Sequence, residues 1–400
     1  MPALSRTSRR VSVALAALVA VVAGSSACGR RPLSVPACVD VMPEAPETPL
    51  CTTFVRDRAF DDFIAADPGS PQVSGVAGTN AADLYVGLSN DFQGRIVRWA
   101  GGVWAAEALP VDAFSVSMVT SDASGEIWGL VTKRGLSRSG IDGPATLVHR
   151  RSGKWVVEPN PPSGTPAAVG GTRSGLFVST IETATGAGRV WQWLGSGWKA
   201  SPLALSTAET AAGATFVTTG FWGGGCGEAL TFGGGVAQDA LFGPLFRLDG
   251  EGWAAVAVPV LSDILAVSGP RLDDLYVLSL NRGRDGASHF FHLTDDVTTW
   301  TPLLTPVTVD YAALVSPAAG RAVAVGCEWP DKTLARPAGC ARLTTIERDG
   351  DALTTSPMPN VDGAPVALWQ QPTTGALHLF SYVSSPDGGL RAQHHVATCP

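Results

Sequence analysis

Charge is scarce in this 400-residue chain: Asp, Glu, Lys and Arg together make up 16%, against about 25% in an average soluble domain. Hydrophobic residues make up 45%, so disorder is excluded as a description of the whole chain, because disorder requires low hydrophobicity with high net charge. Net charge is −7, and no Lys/Arg run longer than two follows Arg31. The basic stripe of a nucleic-acid binder is therefore lacking, and no nucleic-acid partner is expected. No apolar run reaches the ~20 residues of a transmembrane helix. C-x-x-C is absent, and no His stands at finger spacing, which excludes a finger-type zinc site. G-x-S-x-G is absent, so no nucleophile elbow is proposed. The phosphate loop G-x-x-x-x-G-K-[ST] is also absent, and neither metal nor cofactor is expected. Long helices are disfavoured by 46 Gly and 29 Pro, which punctuate the chain as turns do.

What is present begins with an address. Arg6, Arg9 and Arg10 precede a 14-residue apolar run, Val11–Gly24, and small residues then lead to Cys28. A charged start, a short apolar stretch and a small-residue cleavage site are the parts of a secretory signal. The arrangement resembles a bacterial lipoprotein signal, which implies cleavage behind Ala27 and lipidation of Cys28. Ser25 departs from that pattern, which usually has Leu there; secretion without lipid, with a cut near Ala27, is the alternative. Removal of 1–27 takes away three positive charges and no negative one, leaving −10. Residues 28–50 are Pro-rich without periodicity and read as a tether. The mature chain is expected to be extracytoplasmic, in the cell envelope, and monomeric, with 51–400 as its folded domain.

Seven cysteines fit that compartment. With Cys28 lipidated, six remain: Cys38, Cys51, Cys226, Cys327, Cys340 and Cys399. An even number in an oxidising compartment suggests three disulfides, with 15 possible pairings. Cys327 and Cys340 flank one loop between strand-like segments, and Cys51–Cys399 would join the ends of the domain. Cys38–Cys226 follows by elimination, with Cys38–Cys51 as a competitor.

Internal repetition organises the rest. A short segment of small and apolar residues recurs at 73–79, 115–121, 166–172, 213–219, 264–270, 312–318 and 364–370. A second strand-like segment follows each, at 83–89, 126–132, 175–181, 228–234, 274–280, 321–327 and 376–382. A hairpin whose outer arm often begins with Trp comes next, as in 95–104, 146–155, 189–198, 244–253 and 289–300; the copy at 341–353 lacks the Trp. Centres of the second segment are spaced by 43, 49, 53, 46, 47 and 55 residues. A period near 50 with four short strands is the signature of propeller blades. The expected fold is all-β: a propeller of seven four-stranded blades, with six or eight as alternatives. The last copy lacks a fourth strand, which residues 51–57 can supply, removing an exposed sheet edge.

Asp83-Leu84-Tyr85-Val86 with Ile96-Val97-Arg98-Trp99-Ala100-Gly101-Gly102-Val103-Trp104 resembles the blades of bacterial extracytoplasmic, lipoprotein-type β-propeller repeat proteins. Asp274-Leu275-Tyr276-Val277 matches the first half, and Asp122–Trp128 resembles the D-x-x-G-x-I-W motif of periplasmic sensor propellers. The resemblance implies architecture; it assigns no activity, because propellers host unrelated functions.

Signals for chemistry are weak. His289 and His292 face opposite sides of a strand, as do the adjacent His394 and His395. The Gly-rich stretch 221–235 reads as bulges or tight packing. Asp61-Asp62, Asp273-Asp274 and Asp295-Asp296 read as turn residues. The segment 328–339 is long for a hairpin, and it makes Glu328, Trp329, Lys332 and Arg336 a candidate partner-binding loop. The expected function is non-enzymatic: a binding or scaffold module for an envelope protein or glycan, touching the membrane only through its lipid. The alternative is a propeller enzyme acting on polysaccharide or peptidoglycan, which would need convergent carboxylates or histidines around the axis.

Overall fold

The structure, a computed structural model, describes residues 53–397 apart from 67–70, 81–82, 91–92, 134–144, 183–187, 202, 205–214, 225–226, 238–239, 243, 251, 260–262, 281–287, 304–308, 329–341, 350–351, 359–360, 372–373 and 385–388. All of these belong to one compact unit, Met42–Pro400.

Strand β1 (Phe54–Arg56) and helix α1 (Arg58–Ala65) come first. Four-strand antiparallel units then follow in chain order. Unit 1 holds β2 (Gln72–Asn80), β3 (Asp83–Ser89), β4 (Gly94–Ala100) and β5 (Val103–Glu107). Unit 2 holds β6 (Ala113–Ser121), β7 (Ile127–Lys133), β8 (Ala145–Arg151) and β9 (Lys154–Val157). Unit 3 holds β10 (Thr165–Thr172), β11 (Gly175–Ile181), β12 (Gly188–Trp193) and β13 (Trp198–Ser201). A two-residue strand, β14 (Leu203–Ala204), then runs parallel to the outer strand of unit 4. Unit 4 holds β15 (Thr215–Trp222), β16 (Leu230–Ala237), the short β17 (Ala240–Phe242), β18 (Leu245–Asp249) and β19 (Gly252–Val256). Unit 5 holds β20 (Asp263–Arg271), β21 (Asp274–Leu280), β22 (Ser288–Thr294) and β23 (Thr299–Leu303), and one ladder pair, Gly234–Asp263, links its sheet to that of unit 4. Unit 6 holds β24 (Val309–Ala318), β25 (Arg321–Glu328), β26 (Arg342–Asp349) and β27 (Ala352–Pro357). Unit 7 holds β28 (Ala364–Gln370), β29 (Leu377–Ser384) and β30 (Leu390–Ala397), and its fourth strand is β1, with Phe54, Val55 and Arg56 opposite Ala397, Val396 and His395.

The repeat thus falls where the sequence places it, including closure by the N-terminal strand. The first strands form a ring, each against the next and β28 against β2. Second strands are buried on both faces: five consecutive buried residues run through each of β3, β7, β11, β21 and β29, and six through β25. Along β3 the alternation of side chains assigns Leu84, Val86 and Leu88 to the cluster shared with unit 7 and Tyr85 to the cluster shared with unit 2. Each of seven core clusters joins one pair of neighbouring units around the ring. This is why a half-buried pattern of alternating polarity is missing from the sequence.

Crowding at the axis explains the small residues of the first strands. A Cβ on Gly75 of β2 would lie 2.7 Å from the backbone nitrogen of Val119 in β6. Every first strand also carries a β-bulge at the equivalent point, opposite the middle of its second strand: at Ser74, Ser117, Ala167, Thr219, Leu265, Ala312 and Val366. A bulge increases local twist and bends the strand.

One expectation is corrected. Asp61 and Asp62 lie in α1, not in a turn. Asp57 caps this helix, its side chain accepting from the backbone N–H groups of Ala59 and Phe60. Phe60 and Ile64, one turn apart, are buried between units 7 and 1, and full burial of two such side chains contributes roughly 1.5–3 kcal/mol each. Asp295 and Asp296 do lie in a turn, where they and Val297 adopt positive φ.

Candidate functional site

The antiparallel order of each unit sends two kinds of connection to each end of the ring. Second-to-third connections and the returns to the next unit share one end. The second-to-third connections include 134–144, 281–287, 329–341 and 385–389. First-to-second and third-to-fourth connections share the other end and are mostly tight, such as 101–102, 152–153, 272–273 and 319–320. Ser152-Gly153 and Gly101-Gly102 have the consecutive positive φ values of a two-residue hairpin turn. The longest second-to-third connection, 329–341, carries the candidate binding loop. Glu328 ends β25 opposite Val309 and Arg342, while Trp329, Lys332 and Arg336 lie outside the described residues.

At the tight-turn end of units 1, 2 and 5, charged residues of the repeat are tied into clasps. An acid opens the second strand, an aromatic follows two residues later, and a basic residue of the third strand stands directly across from that aromatic. In unit 1, Arg98 Nε donates to Asp83 Oδ1 at 2.8 Å and its guanidinium lies 5.8 Å from the centre of the Tyr85 ring. In unit 5, His292 Nε2 is 2.8 Å from Asp274 Oδ1 and its ring stacks on Tyr276 at 4.8 Å. In unit 2, His149 stacks on Trp128 at 4.4 Å, with Nδ1 2.8 Å from Glu126 Oε1. Asp122 is absorbed by its own turn: Oδ1 accepts from the N–H groups of Ser124 and Glu126 and from the Ser124 hydroxyl, and Oδ2 accepts from Trp128 Nε1. These motifs therefore brace the second and third strands of units 1, 2 and 5.

The first strands contain two acids, Asp263 and Asp310, both near the end that carries the long connections. The bulge residues of the first strands are Ser, Ala, Thr, Leu and Val, none of them ionisable. Among the described residues, no group of three or more His, Cys, Asp and Glu is arranged to hold a metal ion. No helix among them is long and apolar enough to cross a membrane.

A buried polar cluster lies at the ring closure, where units 1 and 7 meet α1. Asp57 Oδ2 accepts from Trp104 Nε1 of β5 at 2.9 Å and faces His394 Nδ1 of β30 at 2.9 Å. His394 Nε2 is 3.1 Å from His378 Nδ1 of β29, and the two rings are nearly parallel. Phe60, Phe380 and Trp104 enclose His394. Burial pushes the Asp57 carboxyl up, but hydrogen bonds from His394, Trp104 and the Phe60 N–H outweigh it and hold it at about 2. Burial depresses His378 to about 3, helped by the neighbouring His394, and lowers His394 against the pull of Asp57. His395 points to the opposite face, beside Ser381, and burial followed by His394 and Arg56 lowers it to about 4. Sequence inspection separated His394 from His395 by strand parity; it could not bring Asp57, 337 residues away from His394, into the same cluster. An Asp three residues before an apolar pair at i, i+4 spacing was the available signal of the cap.

Of the cysteines, only Cys327 is among the described residues; it is buried in β25 opposite Asp310. Cys28, Cys38, Cys51, Cys226, Cys340 and Cys399 lie outside them.

No protein-family profile and no curated protein sequence matches the chain. Solved structures do. A structure of YCF48 bound to D1 peptide aligns with 92% of this chain and 100% of its own, at 15% identity and a TM-score of 0.54. Streptogramin B lyase aligns with 83% of this chain and 94% of its own, at 11% identity and a TM-score of 0.52. The GH74 xyloglucanase from Xanthomonas campestris aligns with 85% of this chain but only 55% of its own, at 13% identity and a TM-score of 0.53. The class is thereby defined: an all-β protein with the β-propeller fold. The likeness reaches the architecture and stops there, because these neighbours include a peptide-bound protein and two enzymes.

Proposed function

We propose that the chain is a non-enzymatic binding or scaffold propeller of the bacterial cell envelope, tethered through lipid on Cys28, that engages a protein or glycan with the face bearing its long connections. The observation that carries this reading is the asymmetry of the two faces. In units 1, 2 and 5 the acids and bases at the tight-turn end are paired in internal clasps, whereas the strand ends that lead into the long connections, Glu328 before 329–341 among them, lie at the opposite end. Long connections on a rigid scaffold are where recognition residues concentrate. The peptide-bound state of YCF48 favours a protein partner over a glycan. Disulfides Cys327–Cys340 and Cys51–Cys399 belong to the proposal. The first would tie the base of the 329–341 segment. The second would extend the β1–β30 ladder, since Phe54 pairs with Ala397 and in the sequence Cys51 precedes Phe54 by three residues while Cys399 follows Ala397 by two.

In-cell photo-crosslinking tests the reading, with the photoreactive residue at position 329 or, as control, at Leu194 on the tight-turn face, which is 49% exposed. Discrete crosslinked species are expected from 329 and not from 194; equal yields, or none from 329, would overturn the proposed face. Cys28→Ala is expected to move the protein from the membrane fraction to the soluble one, and an unchanged distribution would remove the lipid anchor from the proposal.

A further inference from the structure

We propose that the ring closure is an acid-sensitive latch, in which the stacked pair His378–His394 holds β1 and α1 against units 7 and 1 only while both rings are neutral. The geometry restricts where protons can sit. Four ring nitrogens are involved. His394 Nδ1 faces Asp57, so it carries a proton and donates. His394 Nε2 and His378 Nδ1 face each other at 3.1 Å, with room for one proton between them. Two neutral rings supply these two protons and satisfy both contacts. A third proton must go to His378 Nε2, which is buried and meets no hydrogen-bond partner among the described residues. An unsatisfied, buried N–H on a cation is strongly disfavoured.

The charged surroundings do not rescue that proton. Asp57 and Asp61 approach from the α1 side, and Asp57 already accepts from Ala59, Phe60, Trp104 and His394. On the other face of β30, His395 lies between Ser381 and the positive Arg56, with Asp362 beyond. His395 Nδ1 also lacks a partner among the described residues, so the same restriction applies there. When β1 and α1 detach, His394 gains solvent and the histidines can take up protons near pH 6.5. The sign follows. Folded-state values lie below the unfolded one, so closure is complete above about pH 6.5 and weakens as pH falls. One histidine that stays neutral while closed and titrates at 6.5 when open favours opening about 30-fold at pH 5. The histidines act together, so the effect grows beyond that. Asp57, held at about 2, stays ionised throughout this window.

Hydrogen exchange on the full chain, read by mass spectrometry at pH 7.5 and pH 5.0 and corrected for intrinsic rates, tests the latch. Protection of Phe54–Ala65 is expected to fall about 30-fold or more at pH 5.0, while β6, β10 and β15 keep theirs. Unchanged protection of Phe54–Ala65, or equal loss across all units, would overturn the proposal. The triple variant His378→Gln/His394→Gln/His395→Gln is expected to reduce the pH ratio to less than about fivefold, and a ratio equal to wild type would also overturn it. If that variant does not fold, imidazole nitrogen NMR of the wild type decides. Both rings are expected to remain neutral, protonated at Nδ1, at every pH where the latch is closed; titration near 6.5 with exchange unchanged would refute it.

Discussion

Asp57 makes four contacts with one carboxylate, and Asp57→Ala is the substitution that examines the closure most directly. Its Oδ1 accepts from the N–H groups of Ala59 at 3.0 Å and Phe60 at 3.3 Å, which caps α1. Loss of an Asp cap costs about 1 kcal/mol. Its Oδ2 serves Trp104 Nε1 and His394 Nδ1, and these two residues are only 5% and 2% exposed. Each buried donor left without an acceptor costs roughly 1–3 kcal/mol. The sum is about 3–7 kcal/mol near pH 7, against total stabilities that are commonly only 5–15 kcal/mol. Asp273→Ala is the control: its carboxylate is 52% exposed and pairs with Arg271 at the surface, so a change within about 0.5 kcal/mol is expected. Urea denaturation of the mature chain, followed by tryptophan fluorescence with a common m-value, measures both. A cost below about 1 kcal/mol for Asp57→Ala, or an equal cost for the two variants, would refute the idea that this carboxylate organises the closure.

Two further outcomes follow from burial and crowding. Burial raises the phenol groups of Tyr85 and Tyr311 well above their usual range, and pushes Tyr382 up to about 12. The unfolded chain ionises these groups near pH 10, so stability is expected to fall as pH rises above 10. Absorbance at 295 nm on raising the pH to 11 should therefore show at most one of the four tyrosines ionised in the folded protein; early ionisation of all four would contradict the burial. Gly75→Ala forces a methyl against the backbone of β6 and is expected to cost about 1–3 kcal/mol. Gly197→Ala, with open space around the new Cβ, is expected to stay within about 0.5 kcal/mol. Thermal unfolding of the pair checks this, and equal midpoints would mean that the first strands are not crowded at the axis.

The sequence by itself determined the repeat, the strand boundaries within a few residues and the closure of the last unit by residues 51–57. These are local or periodic properties. Gly and small residues mark strands that crowd at an axis, and the uninterrupted apolar second strands report burial on both faces. The Asp83–Arg98 and Asp274–His292 pairs were visible only as recurring letters, because an acid and a base 15 or 18 residues apart become partners once the hairpin register sets them side by side. Helix α1 escaped notice because a single eight-residue helix carries few periods and its residues read equally well as a turn. Only the tertiary structure decided that Asp57, Trp104, His378 and His394 form one cluster. Their meeting depends on the ring closing on itself, and no spacing along the chain encodes which residues a closed circle brings from its two ends to the same point.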